Sequence, residues 1–71
     1  MAEDVRAHIT GVVFQIVAPA GRKVAAGDPI LILESMKMEI PVEAPRAGVV
    51  QELRVSEGET VQEGDVVATL G

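Results

Sequence analysis

The chain has 71 residues, a net charge of −5, no cysteine, one histidine (His8) and one aromatic residue (Phe14). A chain of this length makes one small domain, whose folding buries about 60% of the surface that the unfolded form exposes. Without cysteine there is neither a disulfide nor a thiolate metal site, one histidine does not build a metal cluster, and an acidic chain with a single aromatic ring offers little to the phosphates or bases of a nucleic acid.

Apolar runs stop at about four or five residues, far short of the roughly 18 that a membrane span needs. Ala2-Glu3-Asp4 is acidic where a secretory leader carries a basic segment. A soluble, cytoplasmic protein that binds neither membrane nor nucleic acid is therefore expected.

From Ala2 to Thr10, Val5, Ala7 and Ile9 alternate with Arg6, His8 and Thr10. That is the period-two pattern of a half-buried strand, with His8 on its solvated side.

From Gly11 the chain repeats itself. Gly11 to Leu33 lies over Gly48 to Leu70 at an offset of 37 without a gap. Gly11-Val12-Val13 matches Gly48-Val49-Val50, Gly21 matches Gly58, Val24 matches Val61, Gly27-Asp28 matches Gly64-Asp65, and Leu33 matches Leu70. Each copy reads as strand, glycine turn, short apolar contact, Gly-Asp turn and strand. Two copies of one β unit imply pseudo-two-fold symmetry, since neither copy alone has enough apolar surface to hold together. Val12, Ile16, Val24, Ile30 and Ile32 are expected to face Val49, Leu53, Val61 and Val67 in the core. Short strands with frequent turn signals, and no sustained helical period, predict an all-β single domain over residues 1–71: a small sandwich or flattened barrel. Its repeat copies are 11–33 and 48–70, and its hairpin is 34–40.

That hairpin joins the copies. Ile30-Leu31-Ile32-Leu33 precedes it and Ile40-Pro41-Val42 follows it. With Met36-Lys37 at the two central turn positions, Ser35 faces Met38, Glu34 faces Glu39, Leu33 faces Ile40 and Leu31 faces Val42. The four apolar residues then share one face, and a slip of one residue would scatter them. The same register opposes two glutamates and puts Pro41 in a strand, which suits only an edge or an outward-facing amide. Two-residue hairpin turns favour Asn-Gly, Asp-Gly or Gly-X because φ must be positive. Met-Lys breaks that rule with no visible structural gain, which points to function. The residues alone leave two readings, a solvated lysine in an ordinary turn or a presented amine. By the symmetry, both chain termini should lie near the opposite end of the molecule.

A lysine in water is protonated at neutral pH and is a poor nucleophile. Enzymes that use lysine as a base or a Schiff-base partner desolvate it or set it beside another cation, whereas the neighbours of Lys37 are Glu34 and Glu39. Lys37 is thus not catalytic by itself, but it suits attachment of an acyl group by another enzyme. No other constellation competes. Glu3, Asp4, Glu52, Glu57, Glu59, Glu63 and Asp65 read as solvated charges, Ser35 lacks a partner base, no glycine loop cradles phosphate, and Arg22-Lys23 and Arg46 read as isolated solubilising cations.

Glu34-Ser35-Met36-Lys37-Met38-Glu39, centred between the two halves of a β repeat, resembles the biotin-attachment motif of biotinyl domains. The resemblance to the biotinyl/lipoyl attachment domain, including small stand-alone attachment proteins, covers nearly the whole chain. It takes in the Gly-Asp turns and Pro45-Arg46-Ala47-Gly48-Val49-Val50. It implies a flattened barrel of two four-stranded antiparallel sheets. It also implies that Lys37 receives biotin from a biotin protein ligase through biotinyl-adenylate, and that the arm carries a carboxyl group from a biotin carboxylase to a carboxyltransferase. Glu34, Ser35, Met36, Met38 and Glu39 would form the recognition motif around the lysine.

Two features depart from that family. Ala7-His8-Ile9-Thr10-Gly11 stands where many members have Ala-Pro-Met-Pro-Gly, and the "thumb" insertion of some bacterial carriers is absent. No carboxylase or transferase domain accompanies the 71 residues, so a free-standing carrier or a piece of a longer protein is expected. The rivals are lipoylation of Lys37, alone or beside biotin, and an unmodified interaction module. Lipoyl domains typically show Asp-Lys-Ala at the tip, so the methionines favour biotin.

Overall fold

In the computed structural model, which describes residues 2–71, every regular element is a strand. In chain order these are β1 (Glu3–Arg6), β2 (Gly11–Ile16), β3 (Lys23–Val24), β4 (Pro29–Ser35), β5 (Met38–Glu43), β6 (Gly48–Leu53), β7 (Thr60–Val61) and β8 (Val66–Leu70). They form two separate four-stranded sheets, β1-β8-β6-β3 and β5-β4-β2-β7, and all pairings are antiparallel. The architecture is the expected flattened barrel-sandwich, about 33 × 17 × 17 Å, with its sheets unclosed. No helix among the described residues is long and apolar enough to cross a membrane.

The offset of 37 carries β2 onto β6 and β3 onto β7 residue for residue, and starts β4 on β8. It also carries β1 onto the end of β5, so that Val5 matches Val42 and Ala7 matches Ala44, all four of them buried. The repeat is therefore longer than residues 11–33 and 48–70. The second arm of the hairpin belongs to it, and the whole of one sheet maps onto the other.

The Gly-Asp turns work alike in both copies. Gly27 and Gly64 sit at φ 89° and 93°, where a side chain is strained. The next residue folds back, so that Asp28 Oδ2 accepts from the Ala25 amide at 2.9 Å and Asp65 Oδ2 from the Gln62 amide at 2.8 Å.

Between the sheets lie Val13, Ile30, Leu31, Leu33, Val42, Val50, Val61, Val67 and Leu70, all fully buried. Burying one such side chain contributes about 1.5–3 kcal/mol. Val24, Ile30, Val61 and Val67 face inward as expected, and Ile16 and Leu53 pack at the margin. Val12, Ile32 and Val49 do not join the core: Val12 is exposed, the other two are half-buried, and Val13, Leu31, Leu33 and Val50 take the inward places. For Ile32 the cause is a register shift between Pro29 and Leu31 in β4, which sets Ile30 and Leu31 both inward and turns Ile32 out. For Val12 and Val49 it is a bulge in each copy, between Val13 and Gln15 in β2 and between Val50 and Glu52 in β6. One extra residue there reverses the inside–outside parity, so Val13 and Ile16, three apart, both point in.

Arg46 is no isolated cation. Its guanidinium donates to Glu3 Oε1 at 2.9 Å and to the carbonyl oxygens of Ala47, Leu70 and Gly71 at 2.9–3.2 Å. It ties the β5–β6 link to the first and last strands. Four other carboxylates read as solvated also have partners: Glu57 accepts from the Ile16 amide at 2.9 Å, Asp65 closes its turn, Asp4 pairs with Arg6 and Glu52 with Arg54. His8 is exposed, as expected.

Candidate functional site

The register of the β4–β5 hairpin is the one its apolar spacing implies. Leu31 faces Val42, Leu33 faces Ile40, Glu34 faces Glu39 and Ser35 faces Met38, leaving Met36 and Lys37 as the two-residue turn. β4 is held on both sides, by β5 and β2, while β5 is an edge strand. An edge tolerates Pro41, which has no amide to donate. Leu31, Leu33 and Val42 anchor the base in the core.

Gly11 seats the hairpin from the other side. A Cβ there would lie 2.7 Å from the Glu34 carbonyl oxygen, so only glycine lets β2 lie against the last residues of β4. Its repeat mate Gly48 meets the Gly71 carbonyl oxygen in the same way. The sequence marks Gly11 as a landmark of the repeat. Its contact with the hairpin strand becomes visible only with the strands paired, and the shared glycine at the start of each copy was the available signal.

At the turn both residues take positive φ, 52° at Met36 and 65° at Lys37. This is the backbone of the primed turns that match the right-handed twist of a hairpin. Glycine or asparagine enters that region easily, whereas other L-residues pay about 1–2 kcal/mol each. The strain keeps two long side chains at the apex. Met36 is 90% exposed and Met38 58%, and Lys37 is exposed with no hydrogen-bond or ion-pair partner among the described residues. Glu34 and Glu39 flank the turn on the outer face, also exposed, and Ser35 is half-buried beneath it. All six residues singled out from the sequence are thus gathered at one tip.

Such a tip can offer an amine to an activated acyl donor. It supplies no base, no second cation and no enclosure, and the described residues hold no group of three or more metal-ligating side chains. A shallow cleft of about 230 Å³ between the edge strands β1 and β5 is lined by Glu3, Asp4, Val5, Arg6, His8, Glu43 and Pro45, with no residue of the tip.

The chain matches the biotin–lipoyl family, described as "Biotin-requiring enzyme", over residues 3–70. It is 49% identical over 70 residues, 99% of each chain, to a protein of Mycobacterium leprae named biotinylated protein TB7.3 homolog. It is 43% identical over 63 residues to the biotin/lipoyl attachment protein of Bacillus subtilis, covering 89% of this chain and 86% of that one. Among solved structures it superposes on the urea carboxylase of Kluyveromyces lactis with a TM-score of 0.95 and 37% identity, covering all of this chain and 6% of that one. With a match along nearly its whole length and relatives of its own size, the chain belongs to the biotin/lipoyl attachment family.

Proposed function

We propose that this chain is a non-catalytic biotin carboxyl carrier, with biotin held in amide linkage on Lys37. The observation that carries the reading is the apex itself: a strained turn that keeps a lysine with no partner among the described residues between two exposed methionines, on a hairpin rooted in the core. A group to be loaded by one enzyme and read by others needs that accessibility and that stiff base.

In loading, Lys37 Nζ attacks the acyl carbon of biotinyl-adenylate. The attack needs the neutral amine, so a base of the biotin protein ligase first takes one proton from the Lys37 ammonium; the C–N bond then forms, the acyl carbon–oxygen bond to the phosphate breaks, AMP leaves, and the second proton lost from Nζ as the amide forms passes to the ligase or to solvent. The ligase would grip the recognition motif, Glu34, Ser35, Met36, Met38 and Glu39. The thioethers of Met36 and Met38 suit a surface met by several partners because they are soft and repack easily. Once attached, biotin would carry a carboxyl group from a biotin carboxylase to a carboxyltransferase of a biotin-dependent carboxylase. The likeness to a urea carboxylase supports that setting.

A lipoyl group on the same lysine is the second reading, favoured by one observation: the B. subtilis relative is named for both groups. Intact-mass measurement of the protein from cells, with streptavidin blotting beside it, tests the choice. A biotin adduct on Lys37 that is lost in Lys37→Arg is the expected result. A lipoyl adduct alone, or an unmodified lysine where the host's ligase labels other carriers, would overturn it.

A further inference from the structure

The two sheets are built from the same repeat, so each outer face is a control for the other. On the sheet that bears the hairpin, the outward positions include Val12, Phe14, Ile32 and Pro41. Val12 is 40% and Phe14 49% exposed, Pro41 is exposed and Ile32 half-buried. Register places Gln15, Ile32 and Pro41 side by side in one row, with Phe14 at the bulge beside it, and Val12, Glu34 and Glu39 in the row nearer the tip. At the equivalent places of the other sheet, Phe14 is replaced by Gln51, Ile32 by Thr69 and Pro41 by Asp4. Val12 alone keeps an apolar mate, the half-buried Val49, and Thr69 is buried rather than exposed. At the other three places the same backbone is apolar on one side and polar on the other, so folding does not require Phe14, Ile32 or Pro41 there.

Charge divides the same way. The four strands of the hairpin sheet contain Glu34, Glu39 and Glu43 and no lysine or arginine. None of these acids forms an ion pair among the described residues. The ion pairs Arg6–Asp4, Arg46–Glu3 and Arg54–Glu52 all involve strands of the other sheet or the links beside them.

We infer that the outer face of the β5-β4-β2-β7 sheet is the docking surface for the biotin carboxylase that charges the carried group, one whose complementary surface is apolar at its centre and rimmed with lysine or arginine. An apolar patch edged by unpaired carboxylates fits such a surface by charge and desolvation together. Distance selects the enzyme acting on the far end of the arm over the one that attaches it. The Ile32–Pro41 row lies about 15 Å down the strands from Lys37, at about 3.3 Å per residue. An enzyme that works at Nζ must meet the tip, while one that works at the end of a long arm can hold the scaffold further down. The inference rests on the carrier reading above.

The test exchanges the two faces. The full-length Phe14→Gln/Ile32→Thr variant takes its replacements from the equivalent positions Gln51 and Thr69, and the mirror variant Gln51→Phe/Thr69→Ile serves as control. Each is assayed for loading by a biotin protein ligase and then, biotinylated, for ATP- and bicarbonate-dependent turnover by a biotin carboxylase that accepts the wild-type carrier. For Phe14→Gln/Ile32→Thr, loading within about twofold and a KM for carrier raised about tenfold at unchanged kcat are expected, as for loss of interface anchors. The mirror variant should keep the wild-type KM, and wild-type KM should rise with salt as the charged rim is screened. Glu43→Lys keeps the idea testable if the double variant folds poorly: its KM should rise at low salt. An unchanged KM in Phe14→Gln/Ile32→Thr, or in Glu43→Lys at low salt, overturns the docking face while leaving the carrier reading intact. A wild-type protein that takes up no biotin overturns both.

Discussion

Replacing the lysine by glycine should make the unmodified protein more stable. Lys37 sits at φ 65° and has no partner among the described residues, so its removal breaks no contact. Leaving the left-handed region unstrained is worth about 1–2 kcal/mol for an L-residue. The extra freedom of glycine in the unfolded chain takes back about 0.5–1 kcal/mol. The net gain for Lys37→Gly spans about 0–1.5 kcal/mol and is about 0.8 kcal/mol at the midpoints of the two ranges, and for a domain of this size each kcal/mol shifts Tm by about 4–8 °C. Adding Met36→Asn relieves the second positive φ, 52°, with a residue that visits this region readily. The assay is thermal melting of unmodified protein followed by far-UV circular dichroism, with Lys37→Arg in parallel as a variant that keeps the strain. A rise of several degrees for Lys37→Gly and none for Lys37→Arg is expected. If Lys37→Gly melts at or below the wild type, the positive φ carries no strain, and the case that the fold gives up stability to present this amine fails.

Lys37→Arg should abolish loading, read by streptavidin blot after co-expression with a ligase, with Tm within about 2 °C of wild type because an exposed side chain contributes little. Gly11→Ala puts a Cβ 2.7 Å from the Glu34 carbonyl oxygen. It should cost about 1–3 kcal/mol in urea unfolding and slow loading by displacing the strand below the tip. Gly27→Val or Gly64→Val forces a β-branched residue to φ near 90° and should cost about 1–3 kcal/mol; a melting curve like the wild type would remove the turn argument. Arg46→Ala loses the bonds to Glu3, Leu70 and Gly71 and should lower stability by about 1 kcal/mol, a modest loss because these groups are partly solvated, while leaving loading unchanged.

The hairpin is the most legible part of the chain because two independent constraints meet there. A two-residue turn leaves one register, and only that register puts Leu31, Leu33, Ile40 and Val42 on one face. The positions of Val12 and Val49 were not legible, because a bulge adds a residue without a compositional mark, whereas the register that sets Leu31 and Leu33 inward already turns Ile32 outward, against the core set that included it. Phe14 and Gln51 look like ordinary strand residues until the pairing of β2 with β4 and of β6 with β8 shows the slip. The clasp at Arg46 was hidden for another reason: its side-chain partner Glu3 is 43 residues away, and its carbonyl partners have no side-chain signature. The full length of the repeat was half visible. Val5 over Val42 and Ala7 over Ala44 are identities at the same offset, but Asp4 over Pro41 and Arg6 over Glu43 obscure them.

The clasp and the turn are two answers to one problem of symmetry. Under the pseudo-two-fold, the junction of β4 and β5 corresponds to the meeting of β8 with β1, where Leu70 pairs with Glu3. At the first junction the backbone runs on through Met36 and Lys37, and that short covalent link limits how far the two strands can separate. At the second no turn joins the paired strands, and side-chain contacts add to the β1–β8 ladder in holding them together. Arg46 does so there, and its repeat mate beneath the lysine tip is Ile9, which packs on the core and makes no such bridge. One junction is therefore reinforced by a side chain, while the other is closed by the backbone of its turn. Only the second arrangement leaves every side chain of the turn unengaged, which is why the amine can stand in water on a rigid base.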